Sequence, residues 1–361
     1  MPVQGLLQRG LLQRSLPLKG LLPKGLLLRR LLIAVAAAIV LACGAPSADA
    51  ADVYAGKTLT MIVGFAPGGG VDTTARVVGQ HLVRFIPGAP TLLVQNMEGA
   101  AGLVAMNYLS RRIAADGLTI AMPGRSWYVE GALRSPGVAF DVDKLSYIGS
   151  PGGVNSGLYV RTATGVHDLA SLKASRKPLT FGTLGATTPT AMVPALLAAE
   201  GYPVKIISGY VSTARVLVAL EQGEIDGFWT VEDSFARRHD LIDKNTVRPI
   251  LQTRAHLPGV PLLGAIIPNN LQPLLMLLEA PDNFGLPLVG PAGMPAERTD
   301  ILRKAFMALA ADPAYQSDAR KADQPVGEPI GGARLQAMVD ELAKDATPDI
   351  VTAYRKLETA K

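Results

Sequence analysis

Cysteine is almost absent from this chain of 361 residues, and the only one is Cys43 near the N-terminus. Residues 51–361 therefore offer no disulfide, no zinc site with cysteine ligands and no thiol nucleophile. A domain without cysteine suits an oxidising compartment. Aromatic residues are also few, at 5% of the chain, whereas alanine, leucine, valine and glycine are abundant. This composition is typical of α/β proteins whose strands are buried on both faces.

Signatures of catalysis are missing as well. The four histidines are widely spaced, without an HExxH motif, and no G-x-S-x-G motif occurs. Glu232 and Asp233 are adjacent carboxylates, but neighbours in sequence rarely share a site, so we interpret them as solvated. We expect a binding protein rather than an enzyme, with no cofactor and no metal.

Excess positive charge is confined to the N-terminus. Residues 1–50 hold six lysines and arginines and one acid, Asp49, which leaves 29 basic and 29 acidic side chains in the remainder. The net charge of +5 and the high isoelectric point therefore come from this segment. Without a basic domain, the composition gives no support for nucleic-acid binding.

Residues 1–50 have the pattern of an export leader. Arg29 and Arg30 precede an uncharged apolar run over 31–43, and Ala48-Asp49-Ala50 follows as a small-x-small cleavage site. The run is too short to remain as a membrane-spanning helix. We expect cleavage after Ala50 and a periplasmic location; lipidation at Cys43 is the alternative.

A five-residue repeat of the type GLLQR fills residues 5–29 ahead of the apolar run. One interpretation is a start codon placed too early or a low-complexity extension. The alternative is a helix on a membrane surface, since basic and leucine-rich segments bind anionic lipid. A glycine at every fifth residue does not match one helical face, which favours the first interpretation.

Strand and helix patterns alternate through the remaining chain. Strands are predicted at 58–65, 91–96 and 118–123 with helices at 72–84 and 99–114, which is a βαβαβ unit with a parallel sheet. The pattern restarts, with strands at 158–161, 179–184, 205–209, 225–229 and 247–253 and helices between them. Helices dominate the C-terminus, over 296–311, 314–322, 332–344 and 349–357.

Two such units predict a clamshell of two lobes around a cleft. We assign residues 51–149 plus 254–361 to lobe one and residues 150–253 to lobe two. In open α/β sheets, ligands bind beyond the carboxyl ends of the strands. Both lobes would present such ends to one cleft.

The first strand runs into a glycine-rich turn, residues 66–70 with the sequence APGGG, and then into a helix. Bare glycine backbone before a helix N-terminus offers N–H groups and a positive dipole end to an anion. Nucleotide motifs do not fit, because Thr73 stands where a dinucleotide motif has its third glycine and no P-loop lysine follows Gly70. Asp72 would cap the helix and hold the N–H groups of the loop, with direct contact if the ligand carries an amine or hydroxyl. Arg76 is interpreted as an interlobe or surface residue.

A second turn, residues 182–190, repeats the design in lobe two. Its sequence is GTLGATTPT, and Pro189 lies near the first helical position. Two helix N-termini on one cleft would suit a ligand with two carboxylates. Arg125 follows the third strand and could pair with a carboxylate. Trp229 could stack on a ligand or close the cleft.

Five ordered motifs resemble the substrate-binding receptors of tripartite tricarboxylate transporters, the Bug family. They are GFAPGGGVDTTAR (64–76), VQNMEGAAG (94–102), DGLTI (116–120), GEIDGFW (223–229) and GPAGMP (290–295). The resemblance covers most of residues 53–357. Gly209-Tyr210-Val211-Ser212 departs from the family's usual Pro-Tyr-Lys-Gly.

The resemblance implies a type 2 periplasmic-binding-protein fold that closes on a small carboxylate and delivers it to inner-membrane transporter subunits, acting as a monomer. A sensor subunit for a membrane signalling protein and a secreted enzyme using Asp72 are the alternatives. In the family, backbone N–H groups and waters at the two turns hold the ligand. The residues carried over are Ala66, Pro67, Gly68, Gly69, Gly70, Asp72, Thr73, Arg125, Ser126, Gly185, Ala186, Thr187 and Thr188, with Tyr210 and Trp229 as walls of lobe two.

Overall fold

The computed structural model describes residues 53–185, 188–235, 238–324 and 326–359. The predictions for the leader and the repeat, residues 1–50, lie outside these residues, as do the predicted ligand contacts of Ala186 and Thr187.

The first sheet has six strands in the order β11-β4-β10-β3-β1-β2. β1, β2 and β3 are parallel, as predicted, because each is followed by a helix that returns the chain to the same edge. Its strands are β1 (Thr58–Val63), β2 (Thr91–Asn96), β3 (Thr119–Met122), β4 (Ser146–Ser150), β10 (Leu288–Gly290) and β11 (Ile330–Gly331).

The second sheet has five strands in the order β7-β6-β8-β5-β9. β6 is parallel to β7 and β8, whereas β5 is antiparallel to β8 and β9. Its strands are β5 (Ser156–Arg161), β6 (Leu179–Thr183), β7 (Val204–Ser208), β8 (Gly227–Val231) and β9 (Val247–Gln252).

Both sheets share one strand order, which sequence patterns did not reveal. In each sheet, one βαβαβ unit gives three neighbouring parallel strands. An antiparallel strand then lies between these three strands and a fourth strand. That strand is β10 in the first sheet and β5 in the second. The predicted parallel βαβαβ unit is confirmed for β1, β2 and β3, whereas β10, which joins the sheet antiparallel to β3 and β4, was not predicted.

Helices cover the sheets, and most lie within a few residues of their predicted positions. Those of the first half are α1 (Gly70–Leu82), α2 (Leu103–Arg112), α3 (Trp127–Ala132), α4 (Leu169–Lys173), α5 (Pro189–Ala199) and α6 (Thr213–Gln222). Those of the second half are α7 (His239–Asp243), α8 (Gln272–Phe284), α9 (Ala296–Ala311), α10 (Pro313–Lys321), α11 (Gly332–Asp345) and α12 (Pro348–Glu358).

The described residues from 53 onward form one compact unit, whose largest hydrophobic cluster takes side chains from both sheets. Ile62 and Tyr147 contribute from the first sheet, and Phe181 and Trp229 from the second. The last helix, α12, packs against α5 beside the second sheet. The division into lobes at 150 and 253 stays a prediction.

The two segments that connect the sheets are hydrogen-bonded to each other. Residues 151–155 lead from β4 to β5, and residues 253–287 lead from β9 to β10. The backbone nitrogen of Thr253 donates to the carbonyl oxygen of Ser156 at 3.0 Å. Asp282, buried on α8, accepts hydrogen bonds from the Ser156 hydroxyl at 2.8 Å and the Thr253 hydroxyl at 2.7 Å. We call Ser156, Thr253 and Asp282 the crossover joint.

Candidate functional site

Turn one, residues 66–70, is exposed and lies where β1 ends and α1 begins. Helix α1 has Gly69 as its N-cap, and no side chain caps it. The first intrahelical bond runs from the nitrogen of Thr73 to the oxygen of Gly69, at 2.9 Å. The N–H groups of Gly70, Val71 and Asp72 therefore have no acceptor one turn earlier. This end of the helix is open to an anion.

Asp72 lies beneath turn one and is only 2% exposed. Its Oδ2 atom accepts hydrogen bonds from the backbone nitrogen of Gly68 and from Nε of Arg76, both at 2.9 Å. Its Oδ1 atom accepts a 2.8 Å bond from Nδ2 of Asn96. The expectation that Asp72 caps the helix is wrong. The structure instead shows that it holds the Gly68 N–H in place, as expected for the loop.

These contacts favour the charged form of the Asp72 carboxyl group. Burial raises the pKa of its carboxyl group, but the hydrogen bonds from Arg76, Gly68 and Asn96 outweigh burial and hold the pKa below the ordinary value. Both oxygens are already occupied by protein donors. A direct contact of Asp72 with a ligand amine or hydroxyl stays a prediction.

Asn96 completes the support of turn one and was not among the predicted site residues. It ends β2, and its Nδ2 atom also donates to the carbonyl oxygen of Phe65 at 2.8 Å. Its Oδ1 atom accepts from Arg76 at 3.1 Å. Arg76 is therefore a support of the turn, with a side chain that is still 43% exposed. The signal in the sequence was the polar Asn96 at the end of an apolar strand next to β1.

The loop after β3 packs against Gly64 and Phe65, which lead into turn one. A Cβ atom on Gly64 would lie 2.3 Å from the oxygen of Pro123, and one on Gly124 would lie 2.5 Å from the Phe65 ring. Only glycine allows this approach at either position. It places Arg125 and Ser126 beside the N-terminus of α1, because β1 and β3 are neighbours in the sheet.

Arg125 is partly buried, and among the described residues none accepts a hydrogen bond from its guanidinium group. Burial lowers the pKa of Arg125, and the negative charge of Asp282 opposes that shift. Ser126 is buried and is the N-cap of the six-residue helix α3, with a hydroxyl that makes no capping bond. Arg125 is thus a cation available to a ligand.

Turn two is partly exposed at Gly185 and Thr188. The Thr188 hydroxyl donates to the oxygen of Gly185 at 2.7 Å, and the Thr190 hydroxyl accepts from the nitrogen of Leu184 at 3.1 Å. Pro189 begins α5, as the sequence predicts. Hydroxyl side chains therefore shape this turn in the way that Asp72 and Asn96 shape turn one.

The two aromatic residues predicted as lobe-two walls differ in position. Tyr210 is partly exposed and lines a surface hollow of about 290 Å³ together with Val211 and the outer face of α6. Trp229 is 2% exposed and packs in the main hydrophobic cluster. The strand was expected to end at Trp229 but covers Gly227–Val231, so Trp229 lies mid-strand and the structure gives it a packing role.

Neither a metal-binding cluster nor a membrane-spanning helix occurs in the part of the chain that is described. Within residues 53–185, 188–235, 238–324 and 326–359, no group of three histidine, cysteine, aspartate or glutamate residues is arranged to hold a metal ion. In the same ranges, no helix is long and apolar enough to cross a membrane.

Comparison with known sequences identifies relatives along much of the chain. No protein-family model matches it. A UPF0065 protein of Bordetella bronchiseptica is 24% identical over 289 residues, which cover 78% of this chain and 81% of that protein. The BugT protein of Bordetella pertussis is 35% identical over 95 residues, which cover 26% of this chain and 28% of BugT.

Comparison with solved structures identifies proteins that share this fold. MatC from Rhodopseudomonas palustris, solved with bound malate, superimposes with a TM-score of 0.62 at 19% identity, covering 82% of this chain and 99% of MatC. The periplasmic binding protein BugD superimposes with a TM-score of 0.61 at 18% identity, covering 85% of this chain and 100% of BugD. The resemblance to the Bug family of solute-binding proteins is confirmed. The predicted periplasmic-binding-protein fold is confirmed with it.

This similarity directs attention to the carboxyl ends of the strands, where the Bug resemblance places the ligand. Turn one and Arg125 lie together at these ends in the first sheet, and turn two lies there in the second. Tyr210 follows β7 at the edge of the second sheet, and Trp229 is enclosed. The ligand contacts of all these residues stay predictions.

Proposed function

We propose that the protein is an extracytoplasmic receptor that captures a small carboxylate and delivers it to a membrane transporter of the tripartite tricarboxylate type. The observation that carries the proposal is the N-terminus of α1 at turn one, where the N–H groups of Gly70, Val71 and Asp72 have no intrahelical acceptor while Asp72 and Asn96 fix the turn from below. A site that is shaped before the ligand arrives loses little entropy on binding. MatC, which shares the fold, was solved with malate.

The ligand would lie between the N-termini of α1 and α5, with Arg125 beside it. Backbone N–H groups, the helix dipoles and one guanidinium group all favour a negatively charged group. The proposed contacts are those of residues 66–70, Asp72, Thr73, Arg125, Ser126, residues 185–188 and Tyr210. The proposal includes export with cleavage after Ala50, a periplasmic location, a monomer, and lobes divided at 150 and 253.

Binding is tested with the purified protein and a panel of di- and tricarboxylates, amino acids and aromatic acids. A ligand present at 100 times its dissociation constant stabilises the folded state by about 2.7 kcal/mol, a clear shift in thermal unfolding. Calorimetry then gives the affinity. Failure of every carboxylate in a broad panel to stabilise the protein contradicts the proposal.

Arg125→Gln provides the matched test of site position, because the side chain keeps its length and loses its charge. Its affinity for the best ligand should fall at least about tenfold, as expected for a hydrogen bond to a charged group. Arg134→Gln, an exposed arginine outside the proposed site, should leave the affinity unchanged. Equal affinities of the Arg125 variant and the wild type would place the ligand elsewhere.

Delivery is tested separately from binding. A strain that lacks the gene should fail to take up the radiolabelled ligand, and the wild-type gene should restore uptake. If uptake is unchanged while a membrane kinase ectodomain is retained by the ligand-bound protein in a pull-down, the sensor alternative replaces transport.

A further inference from the structure

The C-terminal helix α12 contacts the helices that follow two of the predicted ligand loops, although it lies outside both segments that connect the sheets. It packs against α5, which begins where turn two ends, and against α8. Through Arg355 it also contacts α3, whose N-cap is Ser126, directly after Arg125. α12 is therefore an additional link between elements of the first sheet and elements of the second.

Arg355 lies between two glutamates. Its Nη1 atom is 2.7 Å from Oε2 of Glu358, one turn further along α12, and 3.5 Å from Oε2 of Glu130 on α3. Its Nη2 atom donates a hydrogen bond to the hydroxyl of Ser135, and that hydroxyl donates to the same Oε2 atom of Glu130. Glu130 is only 4% exposed. One guanidinium group thus ties a buried acid of α3 to α12.

The two carboxylates have too few donors. They share one guanidinium group, and the Oε1 atom of each is buried with no hydrogen bond from any described residue. A buried charged oxygen without a donor is costly, and a proton on the carboxyl group removes that charge. Burial, together with the negative charge of Glu358, raises the pKa of Glu130, and the bonds from Ser135 and Arg355 only partly oppose this shift.

We propose that Glu130, Arg355 and Glu358 form a proton-dependent latch, which fastens α12 to α3 while Glu130 is neutral and loosens when Glu130 ionises. With Glu130 neutral, the latch encloses one positive and one negative charge. With Glu130 ionised, it encloses a net negative charge, which is relieved when α12 moves outwards and water reaches the carboxylates. Because α12 also packs against α5, loosening the latch frees turn two from the loop of Arg125.

Other groups beside the latch do not provide this switch. Burial raises the pKa of the Tyr354 hydroxyl far above neutrality, so it stays protonated. Helix α11 also packs against α3, and its buried side chains are apolar. The turn over residues 142–144 packs there as well, with Asp143 and Lys144 exposed to water.

Helix α8 is the remaining neighbour of α3, and its acids are turned to other partners. Asp282 accepts hydrogen bonds from the hydroxyls of the crossover joint. Burial raises the pKa of Glu279 to about 7, and the charges that act on it are those of Asp282 and Arg254. Titration of Glu279 continues in a variant that lacks the carboxyl group of Glu130, so the difference between that variant and the wild type isolates the latch.

The experiment measures hydrogen exchange of the wild type, produced from its full coding sequence, between about pH 5 and pH 9. Each rate is divided by the intrinsic rate of the same amide at that pH. The raised pKa lets the folded protein keep a proton that the unfolded chain releases near pH 4.5. Protection of α12 and α5 should therefore fall as pH rises through the folded pKa of Glu130.

Glu130→Gln should remove this dependence on pH. The amide oxygen still accepts from Ser135 and Arg355, and the side chain cannot ionise. At the alkaline end, α12 should be at least about threefold better protected than in the wild type, which is more than a neutral substitution produces. Glu358→Gln, which removes the charge acting on Glu130, is the second variant and should flatten the profile in the same direction.

Glu341→Gln is the matched control, because Glu341 pairs with Arg334 at 3.4 Å on the surface of α11, where its side chain is 57% exposed. It should keep the wild-type profile. Protection of α12 that does not change with pH in the wild type overturns the latch. A wild-type profile in Glu130→Gln, or in Glu358→Gln should the first variant not fold, overturns it as well. None of these outcomes depends on a ligand, so the receptor function stands or fails separately.

Discussion

The side-chain amide of Asn96 donates a 2.8 Å hydrogen bond to the buried carboxylate of Asp72. The same nitrogen donates to the carbonyl oxygen of Phe65, and the same carboxylate accepts from the nitrogen of Gly68. Turn one is thus fixed at both ends by two side chains that do not reach its exposed surface. Above this support, the N–H groups of Gly70, Val71 and Asp72 have no acceptor within the helix.

Replacing Asp72 with asparagine should destabilise the protein and weaken ligand binding. The amide oxygen replaces only one of two acceptors, and the amide nitrogen faces a donor, so we expect a loss of about 1–3 kcal/mol in the free energy of unfolding. Urea titration gives the stability and calorimetry gives the affinity. Asp243→Asn is the control; full stability and affinity of Asp72→Asn would show that the carboxylate does not hold the turn.

The stabilisation from Asp72 should disappear in acid. The folded-state pKa of this carboxyl is lowered, so its contribution is present above the unfolded value near 3.8 and is lost as pH falls through the folded pKa. The difference in stability between wild type and Asp72→Asn should therefore be constant near neutral pH and shrink below about pH 3.8. A difference that grows towards low pH is the opposite sign and contradicts this assignment.

Asn96→Ala should cost more stability than Arg76→Ala. Asn96 donates to both Phe65 and Asp72 from a partly buried position, whereas the Arg76 side chain is 43% exposed and screened by water. We expect losses of about 1–2 kcal/mol for Asn96→Ala and below about 1 kcal/mol for Arg76→Ala. Unfolding of both variants in urea gives the order, and the reverse order would mean that the guanidinium group is the main support.

Gly64→Ala should disrupt the contact between turn one and the loop of Arg125. The new Cβ atom would lie 2.3 Å from a backbone oxygen, that of Pro123, which moves only with its loop. We expect a loss of about 1–3 kcal/mol in the free energy of unfolding, together with weaker binding. Gly70→Ala is the matched control for stability alone, since a Cβ atom there meets nothing within 4 Å. Equal melting temperatures for the two variants would refute the close approach.

Asp282→Ala should be more destabilising than Asp282→Asn. Alanine leaves the buried hydroxyls of Ser156 and Thr253 without their acceptor, at a cost of about 2–4 kcal/mol, whereas asparagine keeps one acceptor oxygen. Thermal and urea unfolding of both variants measure the order. An exposed substitution, Asp243→Ala, should stay within about 0.5 kcal/mol of the wild type.

Local patterns predicted the parallel strands and most helices because each apolar run ends at glycine or at a helix-capping residue. They did not predict β4, β10 or α8. β10 has three residues and is defined by its antiparallel partners, and α8 contains Pro281, which breaks the helical pattern. Such elements depend on contacts that are distant in sequence, so no local window contains their signal.

The candidate site was predictable only in part, and for a similar reason. Turn one and Arg125 were found because glycines and a polar residue follow strand ends. Asn96 was missed because its role depends on the pairing of β2 with β1. A boundary error of two residues put Trp229 at a strand end rather than inside the core.

The crossover joint limits how the molecule can bend. Because Ser156 and Thr253 are bonded to each other and to Asp282, a twist of one connection without the other would break these buried hydrogen bonds. A rotation of one sheet relative to the other would then use the crossover joint as its hinge. The turns that lie farthest from this hinge would move the greatest distance.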